Sequence, residues 1–411
     1  MKYDITIVGA GIIGLSIAFQ LARRSNLKIL VLEKGAAIGE GSTGASSAVC
    51  RTRYSIDDML HLARDGIAAY QDWQTFTGLP NPRAQFHNDG VLWMPGADQG
   101  WADTEHMRLQ AHGIASAVLD DQEFKARFPG LSTCILSPDP LTGEAHRCHD
   151  GGRQLLELNG GYVDPVDAAQ DLLDASRKRG VDVLFNAPVA EVDYQGGAVK
   201  GVALADGRDI ATPLVINAAG PWCHDLFNAA GLESGWNLVP TRIQVLYLDR
   251  PKEVTGHIPV TVDMAGGIYF RTQNRGQQLV VSSVLEEDER EAVDNPDCYN
   301  LQPDDDFRNA KLHILHHRLP ALPYRGKIRG YCGLYTVNRD DVHPILGATA
   351  LPGFWVANGF SGHGFKLAPA IGSLVAQAIT GDSLDFDTAV PASLFAIDRQ
   401  PIAMASRSVL A

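Results

Sequence analysis

The sequence predicts an α/β protein that combines a parallel, helix-covered sheet with a second, mostly antiparallel sheet. Residues 1–35 alternate strand, helix and strand, residues 213–222 form a further apolar strand, and residues 353–372 pass from a strand through a glycine-rich loop into a helix. The segments between them offer strand candidates at 90–95 and 241–248. The parallel sheet is therefore predicted to be discontinuous in sequence.

The first element is one strand–helix–strand unit. Residues 3–8 and 27–33 are rich in β-forming side chains, and residues 12–24 are apolar until two arginines near the helix C-terminus. Neighbouring parallel strands need such a crossover helix between them. The turn that joins the first strand to the helix reads Gly9-Ala10-Gly11-Ile12-Ile13-Gly14.

Each glycine of this turn has a steric reason. Gly9 permits a tight turn, Gly11 lets a pyrophosphate approach the backbone, and Gly14 lets the helix pack closely on the sheet. The helix N-terminus supplies free N–H groups for phosphate. Glu33, 19 residues after Gly14, is placed to accept hydrogen bonds from an adenosine ribose. The pattern predicts a dinucleotide site, but by itself it does not separate FAD from NAD.

The strand at 213–222 favours FAD. Just upstream, residues 180–209 read as a small antiparallel unit with turns at Gly196–Gly197 and Asp206–Gly207. Flavoproteins of the two-dinucleotide-binding type bring such a strand back beside the first unit. Its Ala-Ala-Gly then lets a large cofactor lie against the backbone, which a nicotinamide enzyme does not require.

Composition limits the possible functions. The chain has 411 residues, of which 45% are hydrophobic, enough for two or three domains. The net charge of −13 disfavours nucleic acid as a partner. The acidic segment 286–306 is predicted to be a solvated surface. Six cysteines without CxxC spacing argue against structural zinc and indicate a reducing compartment, so no metal is expected.

The uncharged run at residues 5–22 is long enough to be mistaken for a membrane span or a signal core. Its three glycines would weaken a span, and no small-residue cleavage site follows it. We therefore expect a soluble, cytoplasmic protein without a membrane span.

The C-terminal motif is a strand that passes through Phe360-Ser361-Gly362-His363-Gly364-Phe365-Lys366 into an apolar helix at 367–379. A glycine-rich loop that opens a helix is an anion-binding geometry. Near a flavin pyrimidine ring, such a helix N-terminus would stabilise negative charge on the reduced ring.

With these motifs in order, the chain resembles the flavin amine-oxidoreductase family that includes monomeric sarcosine oxidase, sarcosine oxidase β subunits, glycine oxidase and D-amino-acid dehydrogenases. The resemblance covers nearly the whole chain. It is carried by GAGIIG at 9–14, VLEK at 31–34, GSTGASSA at 41–48, NAAGPW at 217–222, GLYTVNRDDVHPILG at 333–347 and GFSGHGFKLAP at 359–369. It implies a Rossmann-like FAD domain of the glutathione reductase type with an antiparallel substrate domain.

The resemblance also implies which residues contact the cofactor, because the 41–49 loop of the family wraps the flavin and its pyrophosphate. His363 is expected to be a hydrogen-bonding residue of the flavin loop. The implied cofactor residues are Gly9, Gly11, Ile12, Ile13, Gly14, Glu33, Lys34, Ser42, Thr43, Ser46, Ser47, Ala48, Val189, Ala219, Gly220, Gly333, Gly359, Gly362, His363, Gly364, Phe365 and Lys366.

By the same resemblance, Arg51 and Lys366 bind the substrate carboxylate, and Tyr335 lines the substrate cavity. Two cations that converge on one carboxylate form charge-assisted hydrogen bonds. The residue types leave alternatives open: Arg51 as a surface charge or phosphate clamp, Lys366 as a snorkelling lysine, and Tyr335 as a core residue. Arg53 is predicted to be structural or a rim charge, and His146 has no identifiable partner.

The chain departs from the family at two places. Relatives attach FAD covalently through a histidine or a cysteine, but these positions hold Ala45 and Gly333, so non-covalent FAD is expected. Cys332 would serve only if the alignment slipped by one residue. Sarcosine oxidases also place an oxygen-activating lysine over the flavin, whereas residues 268–283 contain none. Gln278 is the nearest counterpart, and Arg271 or Arg275 are possible substitutes, so the acceptor is oxygen or another molecule.

The predicted FAD domain comprises residues 1–85, 150–222 and 326–411, and the substrate domain comprises 86–149 and 223–325. The expected reaction is hydride transfer from a carbon next to nitrogen, in an amino acid or a sarcosine-like N-substituted one, to flavin N5. The imine product then hydrolyses. The alternatives are a 2-hydroxy-acid dehydrogenase and a flavoprotein subunit of a hetero-oligomeric dehydrogenase. A small carboxylate-bearing amine is the expected partner, with a partner subunit or separate electron acceptor possible.

Overall fold

The structure is a computed structural model that describes residues 1–98, 100–136, 146–323, 325–404 and 409–410. In chain order, strands β1 to β19 are Ile5–Val8, Ile29–Leu32, Val49–Cys50, Val91–Met94, Ser116–Leu119, Gln154–Glu157, Gly161–Tyr162, Asp182–Leu184, Val189–Gln195, Ala198–Leu204, Asp209–Ala211, Val215–Asn217, Leu238–Asp249, Val260–Asp263, Ile268–Gln273, Gln278–Ser283, Ile328–Asn338, Ile345–Ala348 and Phe354–Asn358. Helices α1 to α9 are Ile12–Arg24, Asp57–Gln71, Trp73–Thr77, Trp101–Ala111, Asp121–Arg127, Pro165–Arg177, Cys223–Ala229, Asp305–Arg318 and Gly364–Thr380.

The first sheet has six strands in the order β18-β19-β12-β1-β2-β8. All neighbouring pairs are parallel except β18–β19, which is antiparallel. The predicted strand–helix–strand unit is present, with Val8 of β1 opposite Leu32 of β2 on one side and Asn217 of β12 on the other. The side chains of β2 are all buried, as expected for a parallel strand covered on both faces.

Helices α1, α2, α6 and α9 share one apolar core with this sheet. Two glycines permit the close packing. A Cβ atom on Gly14 would lie 2.0 Å from the Gly9 carbonyl oxygen, and one on Gly372 of α9 would lie 2.7 Å from the Ser16 carbonyl oxygen of α1. The packing role predicted for Gly14 is therefore confirmed, and α9 lies directly against α1.

The second sheet has eight strands in the order β17-β13-β16-β15-β14-β4-β6-β5 and is antiparallel except at β14–β4. It contains the predicted strands at 90–95 and 241–248, which become β4 and the longer β13. It also contains β6 and β17, which lie in segments predicted for the FAD domain. The proposed domain boundaries therefore divide this sheet at two strands.

The small antiparallel unit predicted at 180–209 is present as the sheet β11-β10-β9. Gly196 and Gly197 form the tight turn between β9 and β10 with φ of +63° and +78°. Left-handed values of this kind favour glycine, so the turn was readable from sequence. Within the described residues, no helix is both long and apolar enough to cross a membrane. The run at 5–22 is instead divided between β1 and α1.

The prediction that segment 286–306 is a solvated surface is wrong in part. Glu289 is buried and accepts a hydrogen bond from the Val409 N–H at 3.0 Å. The side chains of Glu291 and Asp304 pair with the buried guanidinium of Arg242 at 2.7 Å and 2.8 Å. A buried cation requires such partners. Arg242 belongs to strand β13, outside the acidic segment, so the charge count of the segment could not reveal this pairing.

Candidate active site

A long cavity of about 430 Å³ follows the C-terminal edge of the six-stranded sheet. This is the edge at which ligands of open α/β sheets bind. Many of the predicted cofactor residues line it: Gly9, Gly11, Ile12, Ile13, Glu33, Lys34, Ser42, Thr43, Ser46, Val189, Ala219, Gly220, Gly362, Gly364 and Phe365.

The N-terminus of α1 faces the long cavity and is arranged for an anion. Gly9 has φ of +109°, and a Cβ atom there would lie 2.4 Å from the Ala218 carbonyl oxygen. The Ile12 N–H donates to Thr43 Oγ1 at 3.0 Å, so the 41–49 loop caps the helix. Ser42 Oγ lines the cavity and, among the described residues, has no hydrogen-bond partner. Helix N–H groups beside a free hydroxyl suit a pyrophosphate.

Glu33, which was predicted to bond the adenosine ribose, lines the long cavity. One of its carboxylate oxygens accepts a hydrogen bond from the Ala10 N–H at 2.9 Å, and the other accepts one from the Gly35 N–H at 2.8 Å. These bonds fix the carboxylate at the strand end while leaving lone pairs for a ribose hydroxyl.

Three residues at the mouth of the long cavity contact one another, and only Lys34 among them was predicted to contact the cofactor. Lys34 Nζ lies 2.5 Å from a carboxylate oxygen of Asp297 and 4.3 Å from the centre of the Trp222 ring. Trp222 Nε1 donates to the same carboxylate at 3.0 Å. Asp297 belongs to the acidic segment, and no local signal in the sequence connects it to a cofactor.

A second cavity, here called the cationic cavity, measures about 50 Å³ and adjoins the first. The two cavities share four lining residues: Ser46, Tyr335, Gly362 and Phe365. The other residues that line the cationic cavity are Ser47, Ala48, Val49, Arg51, Val262, Tyr269, Val284, Lys366, Val409 and Leu410. The structure therefore brings Arg51, Lys366 and Tyr335 together beside the predicted cofactor residues.

Helix α9 begins at Gly364, three residues earlier than predicted, so Lys366 lies in its first turn. Pro369 has no N–H to donate to the Phe365 carbonyl oxygen, and Tyr70 donates its hydroxyl to that oxygen at 2.9 Å instead. The Tyr70 and Phe365 rings stack at 5.1 Å. A Cβ atom on Gly66 would lie 2.3 Å from the Lys366 carbonyl oxygen, so α2 packs closely here. These contacts fix the helix start.

Lys366 is buried, with a relative exposure of only 5%. Burial, together with the nearby positive charge of Arg51, lowers the pKa of Lys366 to about 7. No carboxylate pairs with Arg51 or Lys366 in the described part of the chain. The buried Glu157 carboxyl acts on both cations without a direct ion pair, so the two cations can still accept an anion in their shared cavity.

Arg51 is buried and lies over the Tyr54 ring at 4.3 Å. It donates to the backbone carbonyl oxygens of Arg53 and Val409. Arg53 pairs with Glu105 at 3.4 Å and donates to the Leu410 carbonyl oxygen at 2.9 Å. Residues 409–410 therefore contact both arginines, and the carbonyl of Val409 is an acceptor on the guanidinium that was predicted to bind substrate.

His363 lies on the cationic side rather than along the long cavity. Its Nε2 lies 2.9 Å from the Val409 carbonyl oxygen, and its ring meets that of Tyr54 edge-on at 5.1 Å. Burial and the neighbouring cations, Lys366 first, lower its pKa well below 6.5, so the imidazole is neutral at pH 7. The neutral imidazole donates its Nε2–H to the Val409 carbonyl oxygen.

Strand β15 holds the loop over this region. Tyr269 donates its hydroxyl to Ser47 Oγ at 2.8 Å. The buried Arg271 guanidinium donates to the Ser47 carbonyl oxygen through two nitrogens, at 3.0 Å and 2.6 Å. Arg275 is exposed at the β15–β16 turn, and Gln278 bonds Asp249, Gln273 and Asn274 at the same end. The side chains considered as oxygen-activating substitutes therefore have other partners or lie at the turn.

Gly333 and Ala45, the two positions that the resemblance implied for covalent attachment of FAD, meet in space. A Cβ atom on Gly333 would lie 2.4 Å from the Ala45 Cβ. Cys332 neighbours Gly333 on β17, and successive side chains of a strand point to opposite faces. Its thiol lies beside Arg242 instead.

Among the described residues, four predicted cofactor residues line neither cavity: Gly14, Gly333, Gly359 and His363. Three others, Ser47, Ala48 and Lys366, line the cationic cavity. Glycines can act indirectly. Gly362, with φ of +83°, lets the Tyr335 ring pack where its Cβ would be, 2.5 Å from Tyr335 Cε2.

The helix N-terminus, the free Ser42 hydroxyl and the Glu33 carboxylate fit the pyrophosphate and ribose of a dinucleotide cofactor such as FAD. The model of the FAD dependent oxidoreductase family (DAO) matches residues 4–378, and the chain belongs to this family. FAD is therefore its cofactor, as predicted.

Similar proteins were found by sequence and by structure. FAD-dependent oxidoreductase domain-containing protein 1 of Xenopus laevis is 25% identical and aligns over 92% of this chain and 79% of its own length. Hydrogen cyanide synthase subunit HcnC of Pseudomonas protegens is 24% identical over 94% of both chains. L-proline dehydrogenase from P. horikoshii shares the fold, with a TM-score of 0.80, 23% identity and coverage of 96% of this chain and 97% of the other.

Proposed function

We propose that the protein oxidises an amino acid or N-substituted amino acid at a carbon next to nitrogen, with Arg51 and Lys366 binding the substrate carboxylate. One observation carries the proposal. Both cations are buried in the cationic cavity, which shares Tyr335 and Phe365 with the cofactor cavity. Burying unpaired cations is unfavourable, and an incoming carboxylate would compensate both.

The chain's own residues would position the substrate. A carboxylate on Arg51 would replace the carbonyl of Val409 as the acceptor. Tyr335, Phe365 and Tyr269 would exclude water from the reacting carbon. Bound FAD supplies the hydride acceptor. The substrate amine must be neutral, because a protonated nitrogen has no lone pair to assist hydride loss.

The names of similar proteins support an amine substrate. L-proline dehydrogenase and the dimethylglycine dehydrogenase of Rattus norvegicus, which is 21% identical, are both named for such substrates. We propose that FAD is held without a covalent bond, because alanine and glycine occupy the positions at which relatives attach it.

An anaerobic substrate panel tests the proposal. The FAD-loaded protein is mixed with primary amino acids, N-methyl and cyclic amino acids, and 2-hydroxy acids, and bleaching of the oxidised flavin is followed. Bleaching by members of the first two groups is expected. Bleaching by 2-hydroxy acids and by no amine would overturn it.

The 2-hydroxy-acid alternative has one observation in its favour. It needs a base for the hydroxyl proton, and Lys366, with its pKa near 7, is partly neutral at physiological pH. The same panel separates the two reactions, since only the hydroxy-acid reaction would persist without any amine substrate.

We propose that the electron acceptor is not oxygen. The guanidinium of Arg271 is bonded to the Ser47 carbonyl oxygen of the 41–49 loop, so this cation holds the loop instead of replacing the missing oxygen-activating lysine. Reoxidation of the reduced protein should therefore be slow in air and fast with a redox dye.

A partner subunit is consistent with the name of the hydrogen cyanide synthase subunit. A monomer in solution with full turnover in dye would contradict a required subunit.

A further inference from the structure

Three metal-ligating side chains converge outside both cavities, on the substrate-domain side of the molecule. Cys134 Sγ lies 3.2 Å from His146 Nε2. The ligand atoms of Cys134, His146 and Cys148 all lie within 4.8 Å of one another. Cys134 is buried and Cys148 is exposed, so the cluster has one closed side and one side open to solvent.

The surroundings hold Cys134 in place. The His149 N–H donates to Cys134 Sγ at 3.1 Å, which fixes the position of that sulfur. The Cys134 carbonyl oxygen accepts hydrogen bonds from His317 Nε2 at 2.7 Å and from the Arg318 guanidinium, both at the end of α8. The His317 ring also meets the His146 ring edge-on at 4.9 Å. The sulfur and the imidazole are therefore both positioned by α8.

We propose that Cys134, His146 and Cys148 bind one zinc ion. Thiolate and imidazole ligands of this kind select zinc among common divalent metals. Zinc–ligand bonds of about 2.0–2.3 Å in tetrahedral geometry separate neighbouring ligand atoms by roughly 3.3–3.8 Å, so small side-chain rotations would close the site. The fourth position faces solvent and is filled by water.

Zinc would tie residues 131–136 to residues 146–150, next to the C-terminal end of α8, which already bonds the Cys134 carbonyl oxygen. Binding would form two Zn–S bonds and one Zn–N bond, and each thiol that was protonated would release its proton to solvent. The spacing of the ligands, at 134, 146 and 148, lacks the CxxC pattern. This is why the sequence analysis, which expected no metal, did not identify them.

The test uses the full, FAD-loaded chain in reducing buffer. Zinc per FAD is measured by elemental analysis as purified, and the metal-stripped protein is then titrated with Zn²⁺ against a chromophoric chelator. We expect one zinc per FAD and micromolar or tighter affinity. Cys134→Ser, Cys148→Ser and His146→Gln should each weaken binding at least about tenfold, whereas Cys298→Ser, at an exposed cysteine elsewhere, should not.

Cobalt substitution gives a readout that does not depend on stability. Co²⁺ in the wild-type site should show a thiolate-to-cobalt charge-transfer band, which Cys148→Ser reduces and Cys298→Ser retains. FAD content and circular dichroism verify the fold of each variant, and His146→Gln decides the matter if a cysteine variant fails to fold. The proposal is overturned by a zinc-free protein that binds no Zn²⁺, by equal affinity in all variants, or by a native Cys134–Cys148 disulfide.

Discussion

The two cavities differ in which parts of the chain line them. The long cavity is lined largely by backbone, glycine and small side chains from motifs that are local in sequence, with Gly9 and Glu33 as fixed points. The cationic cavity is lined by side chains from distant segments, with Arg51 after β3 and Lys366 at the start of α9. A cofactor site made of backbone tolerates little change in chain path, whereas a site made of side chains can change specificity without a change in fold.

The largest effect is expected at the long cavity. Gly9→Val should abolish FAD binding, because the side chain would collide with the Ala218 carbonyl and the positive φ disfavours valine. Flavin absorbance per chain measures the loss. Gly100→Ala is the matched control, since its Cβ would meet nothing closer than 3.9 Å, and it should keep full FAD content. Equal FAD in both variants would contradict this account of the turn.

The next effect separates the cavities. Arg51→Met should retain FAD but lower the rate of flavin reduction by the true substrate about 10- to 150-fold, which corresponds to roughly 1.5–3 kcal/mol for a lost charge-assisted hydrogen bond. Anaerobic stopped-flow reduction is the measurement. Arg64→Met, at an exposed arginine of α2, should leave the rate unchanged. Unimpaired reduction in Arg51→Met would show that the loop serves only the cofactor.

A pH effect of about tenfold should distinguish the roles of the two cations. The pKa of Lys366 is about 7, so its positive charge is present below pH 7 and is lost as the pH rises above it. Binding of acetate, an anion without an amine, should therefore weaken, so that its dissociation constant rises roughly tenfold from pH 6 to pH 8. Perturbation of the flavin spectrum measures this constant.

Lys366→Arg is the control for this pH effect, because arginine stays charged and should bind acetate evenly across the range. Burial raises the pKa of Glu289 to about 8, and this carboxyl bonds Val409 nearby. Glu289→Gln should keep the wild-type profile. A profile that flattens in Glu289→Gln but not in Lys366→Arg would assign the titration to Glu289.

The smallest effect concerns residues 409–410. A chain that ends at residue 408 should show a KM for the true substrate about fivefold lower with kcat unchanged, because the carbonyl of Val409 no longer competes for Arg51. Steady-state kinetics with a dye acceptor measure both constants. A higher KM would mean that the segment helps to form the site. Glu289→Ala, which removes the acceptor of the Val409 N–H, should shift KM in the same direction by less.

The sequence by itself determined the cofactor half of this protein. The glycine spacing at 9–14, the acid at 33 and the Ala-Ala-Gly at 218–220 act through backbone geometry over short distances, so they could be read without a fold. The resemblance added Arg51 and Lys366, and the structure placed both in one cavity.

Only the tertiary structure decided the rest. Asp297 reaches the cofactor mouth, Glu289 lies buried, residues 409–410 meet Arg51, and Cys134 meets His146 and Cys148. These contacts join segments far apart in sequence or without a recognised spacing, and no local propensity or period encodes them. They depend on how β13, α8 and the two sheets pack, because packing sets which side chains meet and which charges are buried.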